Sequence, residues 1–123
     1  MIQLSKIKLA KSIELPVKCN LNVLEAIQKE YGTVAEFEKR IVPFREVTVG
    51  EEIKRLPKEP DIGAVTFGLT LMVLEGIEID REENHTEYTD LSRRQLLNVI
   101  TRDYRALAND IHEELRRCFE IKK

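Results

Sequence analysis

The chain has 123 residues, of which 42% are hydrophobic, 34% charged and 6% aromatic, and its 20 basic and 22 acidic residues leave a formal net charge of -2. These values exclude a disordered, collagen-like or disulfide-rich chain, and they give no reason to expect a specialised nucleic-acid binder. A folded chain of this mass is expected to expose roughly 6,800 Å², which leaves enough buried surface for one domain with one core.

The first 19 residues alternate between apolar and polar side chains, which is the pattern of strands with one solvated face. The alternation changes phase at positions 10–12, so we expect an antiparallel hairpin that turns there. Pro16 cannot donate a backbone N–H, which favours an edge position for its N–H side. The apolar members are Ile2, Leu4, Ile7, Leu9, Ile13, Leu15, Val17 and Cys19.

Residues 20–42 are expected to form two short helices. Asn20 or Asn22 can cap the first helix, whose apolar residues recur at helical spacing until Gly32 ends it. The segment Thr33 to Glu36 has the pattern of a capping box and predicts the start of the second helix, which stops before a proline. The alternative is that the two helices form one kinked unit.

Residues 43–60 are expected to form a charged linker, because three prolines and one glycine interrupt it, with one helical turn at 51–56. Phe44, Val47 and Val49 are apolar residues within this charged segment. They either fold onto the core or present a surface to a partner. We take them as candidate protein-binding residues.

Residues 61–76 are expected to form a helix that Asp61 caps and that is apolar on nearly every side, which predicts the central helix of the core. The longest apolar stretch of the chain spans 13 residues, whereas a bilayer crossing needs about 20, so we expect no membrane anchor. Gly63 and Gly68 lower the helix propensity and therefore indicate close helix packing. Residues 77–91 are expected to form an exposed acidic loop.

Residues 92–120 are expected to form a short helix opened by a capping box and a longer amphipathic helix. From position 93 onwards there are eight basic and five acidic residues. A helical pair with this basic excess could act as a small DNA-binding or regulatory module, which is the alternative function. Acidic residues alternate with the basic ones and would repel phosphates, so we expect no nucleic-acid partner. Arg105, Arg116 and Phe119 complete the candidate protein-binding residues.

The sequence predicts a non-enzymatic protein with no cofactor and no metal. Its only histidines, His85 and His112, have no cysteine, histidine or carboxylate partners at a zinc-binding spacing. The glycines form no phosphate-binding motif, and the acidic segment lacks the alternating ligands of a calcium loop. Cys19 and Cys118 are expected to be small apolar packing residues in a reducing cytoplasm, with a redox or metal role as the alternative.

The order of these features resembles the tail assembly chaperones of long-tailed bacteriophages and related prophages. Nearly the whole chain takes part. The segments that carry the resemblance are a hairpin (KIKLAKSIELPVKC), a helix ending in tyrosine-glycine (NLNVLEAIQKEYG), a second helix (VAEFEKRI), a charged linker, an apolar helix (AVTFGLTLMVLEG), an acidic loop and a pair of terminal helices that starts at a serine.

The resemblance implies a small non-enzymatic protein that coats the tape measure protein while the tail is built, helps to recruit tail tube subunits and then leaves. Such a protein acts in the cytoplasm of the bacterial host and is absent from the mature virion. The family is commonly made in two lengths by ribosomal frameshifting, and this chain would be the short form or its globular head. The resemblance identifies no site residue by position.

The expected fold class is α+β: a mostly α-helical single domain, residues 1–123, with an N-terminal antiparallel β-hairpin laid against a helical core. The apolar helix and the edge of the hairpin both allow self-association, so a homo-oligomer is left open.

Overall fold

The structure is a computed structural model that describes residues 3–120. Ile2 of the alternating N-terminal segment lies outside the described residues. So do Lys122 and Lys123, which are two of the eight basic residues counted from position 93. The described part is an α+β domain that begins with an antiparallel hairpin, as expected. Its elements are β1 (Ser5–Ala10), β2 (Ile13–Val17), α1 (Leu21–Tyr31), α2 (Val34–Ile41), β3 (Phe44–Val49), β4 (Glu52–Pro57), α3 (Ile62–Asn84), α4 (Arg93–Asn98) and α5 (Tyr104–Cys118).

The first hairpin, β1 and β2, turns at positions 11–12 as the phase change predicted. Its inward face buries Ile7, Leu9 and Val17. Both of its outer edges are covered. The backbone N–H groups of residues 101 and 102 donate to the Leu9 carbonyl at 3.0 and 3.3 Å, and β2 lies directly on α3, where the N–H of Lys18 donates to the Met72 carbonyl at 3.0 Å.

Two separate helices follow, not one kinked unit. Of the two candidate caps, Asn20 is the one used, since its side chain accepts a hydrogen bond from the backbone N–H of Val23 at 3.2 Å. Gly32 ends α1 with a φ of 85°, which glycine adopts without steric cost. The Thr33 hydroxyl caps α2 by accepting from the N–H of Glu36 at 3.0 Å.

The central helix α3 packs against β2 and all four other helices. It is long and apolar enough to cross a membrane by length and composition alone, but half of its most apolar window is buried inside the domain. Gly68 lies close to side chains of α2 and α5, as expected of a packing glycine. The same expectation for Gly63 is wrong, because a Cβ there would meet only the capping Asp61 carboxylate at 3.4 Å.

The expected end of this helix at position 76 is wrong. The helix α3 continues to Asn84, so the acidic loop expected at 77–91 is helical over its first half. Ile77 remains buried, and glutamates on the outer face are good helix formers. Arg81 offsets their charge within the helix by pairing with Glu78 at 3.6 Å. His85 then ends the helix in the left-handed conformation, with φ 56°.

The first of the two C-terminal helices starts where the sequence indicated. The Ser92 hydroxyl accepts from the N–H of Gln95 at 3.1 Å, and the Gln95 side chain accepts from the N–H of Ser92 at 2.8 Å, which is a complete capping box for α4. Asp103 caps α5. The apolar stripe of α5 is buried against α3 and contains Leu107, Ala108, Ile111 and Leu115.

The expectation of a linker at 43–60 with a helical turn at 51–56 is wrong. This segment forms a second antiparallel hairpin, β3 and β4, in which every residue from 44 to 49 faces a partner from 57 to 52. Gly50 and Glu51 form a two-residue turn, and Gly50 has a φ of 65°, which tight hairpin turns require. Strong cross-strand pairing outweighs the proline and glycine interruptions, which fall at the ends and at the turn of the hairpin.

Candidate protein-binding surface

The second hairpin, residues 44–57, projects from the domain, and we refer to it as the projecting hairpin. Its two strands pair with each other along their full length, and they make at most marginal contact with any other element. At its base, the N–H of Lys58 donates to the Pro43 carbonyl at 3.0 Å, and the Lys58 ammonium donates to the Lys39 carbonyl at 2.5 Å. Neither outer edge forms a backbone ladder with another part of the described chain.

Each face of the projecting hairpin mixes apolar and charged residues, because opposed residues of paired strands share a face. Near the turn, Val49 is 55% exposed and Ile53 is 69% exposed. One face carries Phe44, Glu46, Thr48, Ile53, Arg55 and Pro57, and the other carries Arg45, Val47, Val49, Glu52, Lys54 and Leu56. The tip therefore presents one exposed aliphatic side chain on each face.

Side-chain contacts join the two strands near the base of the projecting hairpin. The Arg55 guanidinium lies 4.3 Å from the centroid of the Phe44 ring and pairs with Glu46 at 3.7 Å. Phe44 and Val47 are half-buried within the hairpin region, whereas Val49 is exposed. The sequence left two alternatives for these three apolar residues, which were packing onto the core or lying on a surface. Val49 lies on a surface, and neither Phe44 nor Val47 enters the hydrophobic core.

The other three candidate residues lie on or just after α5. Arg105 is held by Asp103, which accepts from its Nε at 3.1 Å and from its Nη2 at 2.9 Å. These hydrogen bonds lower the pKa of the Asp103 carboxyl and raise that of the Arg105 guanidinium. Arg116 follows eleven residues later on the same helix face, since 3.6 residues make one turn.

Phe119 comes directly after α5 and is 60% exposed. It lies fourteen residues after Arg105, or about 21 Å along a helix that rises 1.5 Å per residue. The six candidate residues therefore form two separate groups, one on the projecting hairpin and one along α5.

Ile53 and Leu56 of β4 were missed as candidate residues. Both are exposed on the projecting hairpin, opposite Thr48 and Arg45. The sequence signal for them is weak, because Gly50-Glu51 can form a two-residue turn but the apolar residues on either side of it do not alternate regularly with polar ones.

A cleft of about 940 Å³ opens between the first hairpin and the end of α3. On its wall, the Tyr88 hydroxyl donates to the Asp80 carboxylate, and the Asn84 amide donates to the same carboxylate at 2.6 Å. These bonds lower the pKa of Asp80, while burial and the hydrogen bond to Asp80 raise that of Tyr88 to about 12. The network holds the segment after α3 against that helix.

No group of three or more histidine, cysteine or acidic side chains that could hold a metal occurs within residues 3–120. His112 instead contacts Glu38, with 3.1 Å between Nε2 and Oε2, and so links α5 to α2.

Comparison of the chain with models of protein families, with curated protein sequences and with solved structures finds no match.

Proposed function

We propose that this chain is a non-enzymatic protein of the tail assembly chaperone type, which binds a tape measure protein during the assembly of a long phage tail. It helps to recruit tail tube subunits, acts in the host cytoplasm and leaves before the virion is mature. The resemblance of the sequence supplies the partners. The observation that carries the binding role is the projecting hairpin, whose two edges and two faces are left uncovered.

An uncovered strand edge binds proteins by adding an extended segment of the partner as a further strand. A six-residue edge offers about six backbone hydrogen bonds, each worth about 1 kcal/mol net, since alternate residues face outward. The loss of translational and rotational freedom on association offsets much of this hydrogen-bond free energy. Reversible binding is therefore expected, which suits a chaperone that must dissociate.

The first hairpin of the same domain shows how covered strand edges differ from those of the projecting hairpin. It has the same antiparallel geometry, but residues 101 and 102 cover one edge and α3 covers the other. Long unpaired edges are normally protected in monomeric proteins. The charged residues of the projecting hairpin limit non-specific aggregation, while Val49 and Ile53 supply apolar contacts at its tip.

The experiment is coexpression of the chain with candidate tape measure proteins from the same genome. We expect one of them to become more soluble and to copurify. Ile53→Asp is expected to reduce copurification at least tenfold, because a carboxylate would then have to be desolvated in the contact. Leu21→Asp is the matched control, since Leu21 is 80% exposed at the start of α1.

The possible outcomes distinguish the chaperone role from the assignment of the projecting hairpin as the docking surface. If no tape measure candidate gains solubility or copurifies, the proposed function is wrong. If one does and Ile53→Asp binds as well as the unmodified chain, the chaperone role stands and the projecting hairpin is not the docking element. Arg116→Ala and Phe119→Ala then test the second group of candidate residues.

The alternative of a DNA-binding or regulatory module has weaker support. Arginines of the C-terminal region pair with nearby carboxylates, at 2.8 Å for Arg102 with Asp110 and 2.6 Å for Arg117 with Glu114. A protein that binds duplex DNA through free arginines shows affinity that falls steeply with salt. Salt-dependent retardation of duplex DNA by this chain would favour the alternative.

A further inference from the structure

The fold brings the two cysteines of the chain together, although 99 positions separate them in the sequence. Cys19 lies between β2 and α1 and is 4% exposed. Cys118 is the last residue of α5 and is half-buried. Both cysteines are free; Cys19 lies within the hydrophobic core cluster, and Cys118 packs against it.

The surroundings of the pair make one thiol more accessible than the other. A cavity of about 210 Å³ touches both cysteines and is also lined by Lys18, Glu114 and Arg117. Glu114 is buried, and Arg117 compensates its charge at 2.6 Å. Burial, the neighbouring Cys118 and the Glu114 charge all raise the pKa of Cys19, so Cys19 is a poor first nucleophile. Cys118 is the thiol that a soluble reagent meets first.

We propose that Cys19 and Cys118 form a reversible intramolecular disulfide when a low-molecular-weight disulfide, such as oxidised glutathione, reaches Cys118. The Cys118 thiolate attacks one sulfur of the reagent, which forms a mixed disulfide and releases one glutathione thiolate. The Cys19 thiol gives its proton to the released glutathione thiolate, and the resulting Cys19 thiolate attacks the Cys118 sulfur and displaces the second glutathione, which takes up a proton from solvent. In total, two protein thiols are oxidised, one glutathione disulfide is reduced to two thiols, and no other reactant is needed.

The disulfide would join the end of α5 to the junction of β2 and α1. Formation of the bond requires the two sulfur atoms to approach to the separation of about 2 Å found in a disulfide. A disulfide between residues 99 positions apart closes a long loop and therefore strongly restricts the unfolded chain. The melting temperature is expected to rise by about 10 °C. In a reducing cytoplasm the pair stays as thiols, and oxidation would make this junction rigid.

The experiment treats the purified chain with oxidised glutathione and follows its intact mass. We expect a product lighter by two hydrogen atoms, resistant to alkylation, monomeric and reversed by dithiothreitol. Proteolysis should yield one crosslinked peptide that contains both cysteines. Cys19→Ala is the mechanistic control, because it should stop at a stable glutathione adduct on Cys118.

Three results would overturn the proposal: a persistent glutathione adduct on the unmodified chain, a disulfide-linked dimer, or no reaction in the folded state. The unmodified chain alone decides among these results. The proposal therefore does not depend on whether Cys19→Ala folds. It is also independent of partner binding, since both readouts use the chain by itself.

Discussion

Glycine at position 76 allows β2 to lie directly on the backbone of α3. A Cβ at Gly76 would come within 2.5 Å of the Pro16 carbonyl oxygen and 2.8 Å of the Val17 nitrogen. These are backbone atoms, which cannot move aside as a flexible side chain can. The sequence patterns indicated Gly63 and Gly68 as packing glycines, but the close approach to another backbone is at Gly76.

We expect Gly76→Ala to destabilise the fold by about 2 kcal/mol or more, because the steric overlap outweighs the gain of about 1 kcal/mol in helix propensity. Urea denaturation measures the change in the free energy of unfolding. Gly63→Ala is the matched control on the same helix, and it should leave stability unchanged or raise it by up to about 1 kcal/mol, because no steric overlap opposes the gain in helix propensity there. A Gly76→Ala protein as stable as the unmodified chain would show that β2 does not lie this close to α3.

The Asp80 and Tyr88 pair adds a pH-dependent contribution to stability. Hydrogen bonds from Tyr88 and Asn84 hold the pKa of Asp80 below its ordinary value of 3.8. A carboxyl with a lowered pKa in the folded state stabilises that state above its unfolded pKa, and the contribution is lost as the pH falls through the folded pKa. Acid should therefore weaken the fold below about pH 4.

Tyr88→Phe should raise the Asp80 pKa towards its ordinary value, although the Asn84 hydrogen bond remains, and should make stability less sensitive to acid. NMR titration of the Asp80 carboxyl carbon and urea denaturation between pH 5 and pH 2 measure the two effects. Tyr104→Phe is the control, since the Tyr104 hydroxyl has no hydrogen-bond partner among residues 3–120. Equal Asp80 pKa values in all three proteins would contradict the assignment.

At the scale of elements, the two hairpins have opposite roles in the fold. The first hairpin buries Ile7, Leu9 and Val17 in the core, whereas the projecting hairpin places no residue there. Its two ends are close together, because residue 58 hydrogen-bonds to residue 43. Such an element can be removed without opening the core.

We expect replacement of residues 44–57 by a short glycine-serine turn to shift the melting temperature by less than about 5 °C, because little apolar surface outside the hairpin loses cover. Circular dichroism on heating measures the shift. Insertion of the same turn in place of residues 5–17 is the comparison, and it should abolish cooperative unfolding. Loss of cooperativity in the first variant instead would show that the projecting hairpin packs on the domain.

For the whole molecule, the accessible surface is 8485 Å², compared with about 6,800 Å² expected from the mass. A hairpin that buries neither face contributes to this excess. The remainder of the described chain packs around α3, whose buried residues include Leu69, Met72 and Val73. The molecule therefore combines a packed α+β body with one element that is left exposed.

Much of the body could be predicted from the sequence because its signals are local. The turn at residues 11–12, the Thr33 cap and the Ser92 capping box each depend on a few neighbouring residues. The projecting hairpin was mistaken for a linker, because its charged strands lack a consistently apolar face and so show no clear alternation. The end of α3 was placed too early, because acidic residues suit both a solvated loop and an exposed helix face.

By itself, the sequence determined the α+β class, the central apolar helix and most of the helix starts, since periodicity and capping are properties of consecutive residues. Only the tertiary structure decided which strand edges are covered, how close β2 approaches Gly76 and that Cys19 meets Cys118. Each of these depends on where distant segments come to lie after the core has packed. Patterns among consecutive residues do not specify that arrangement.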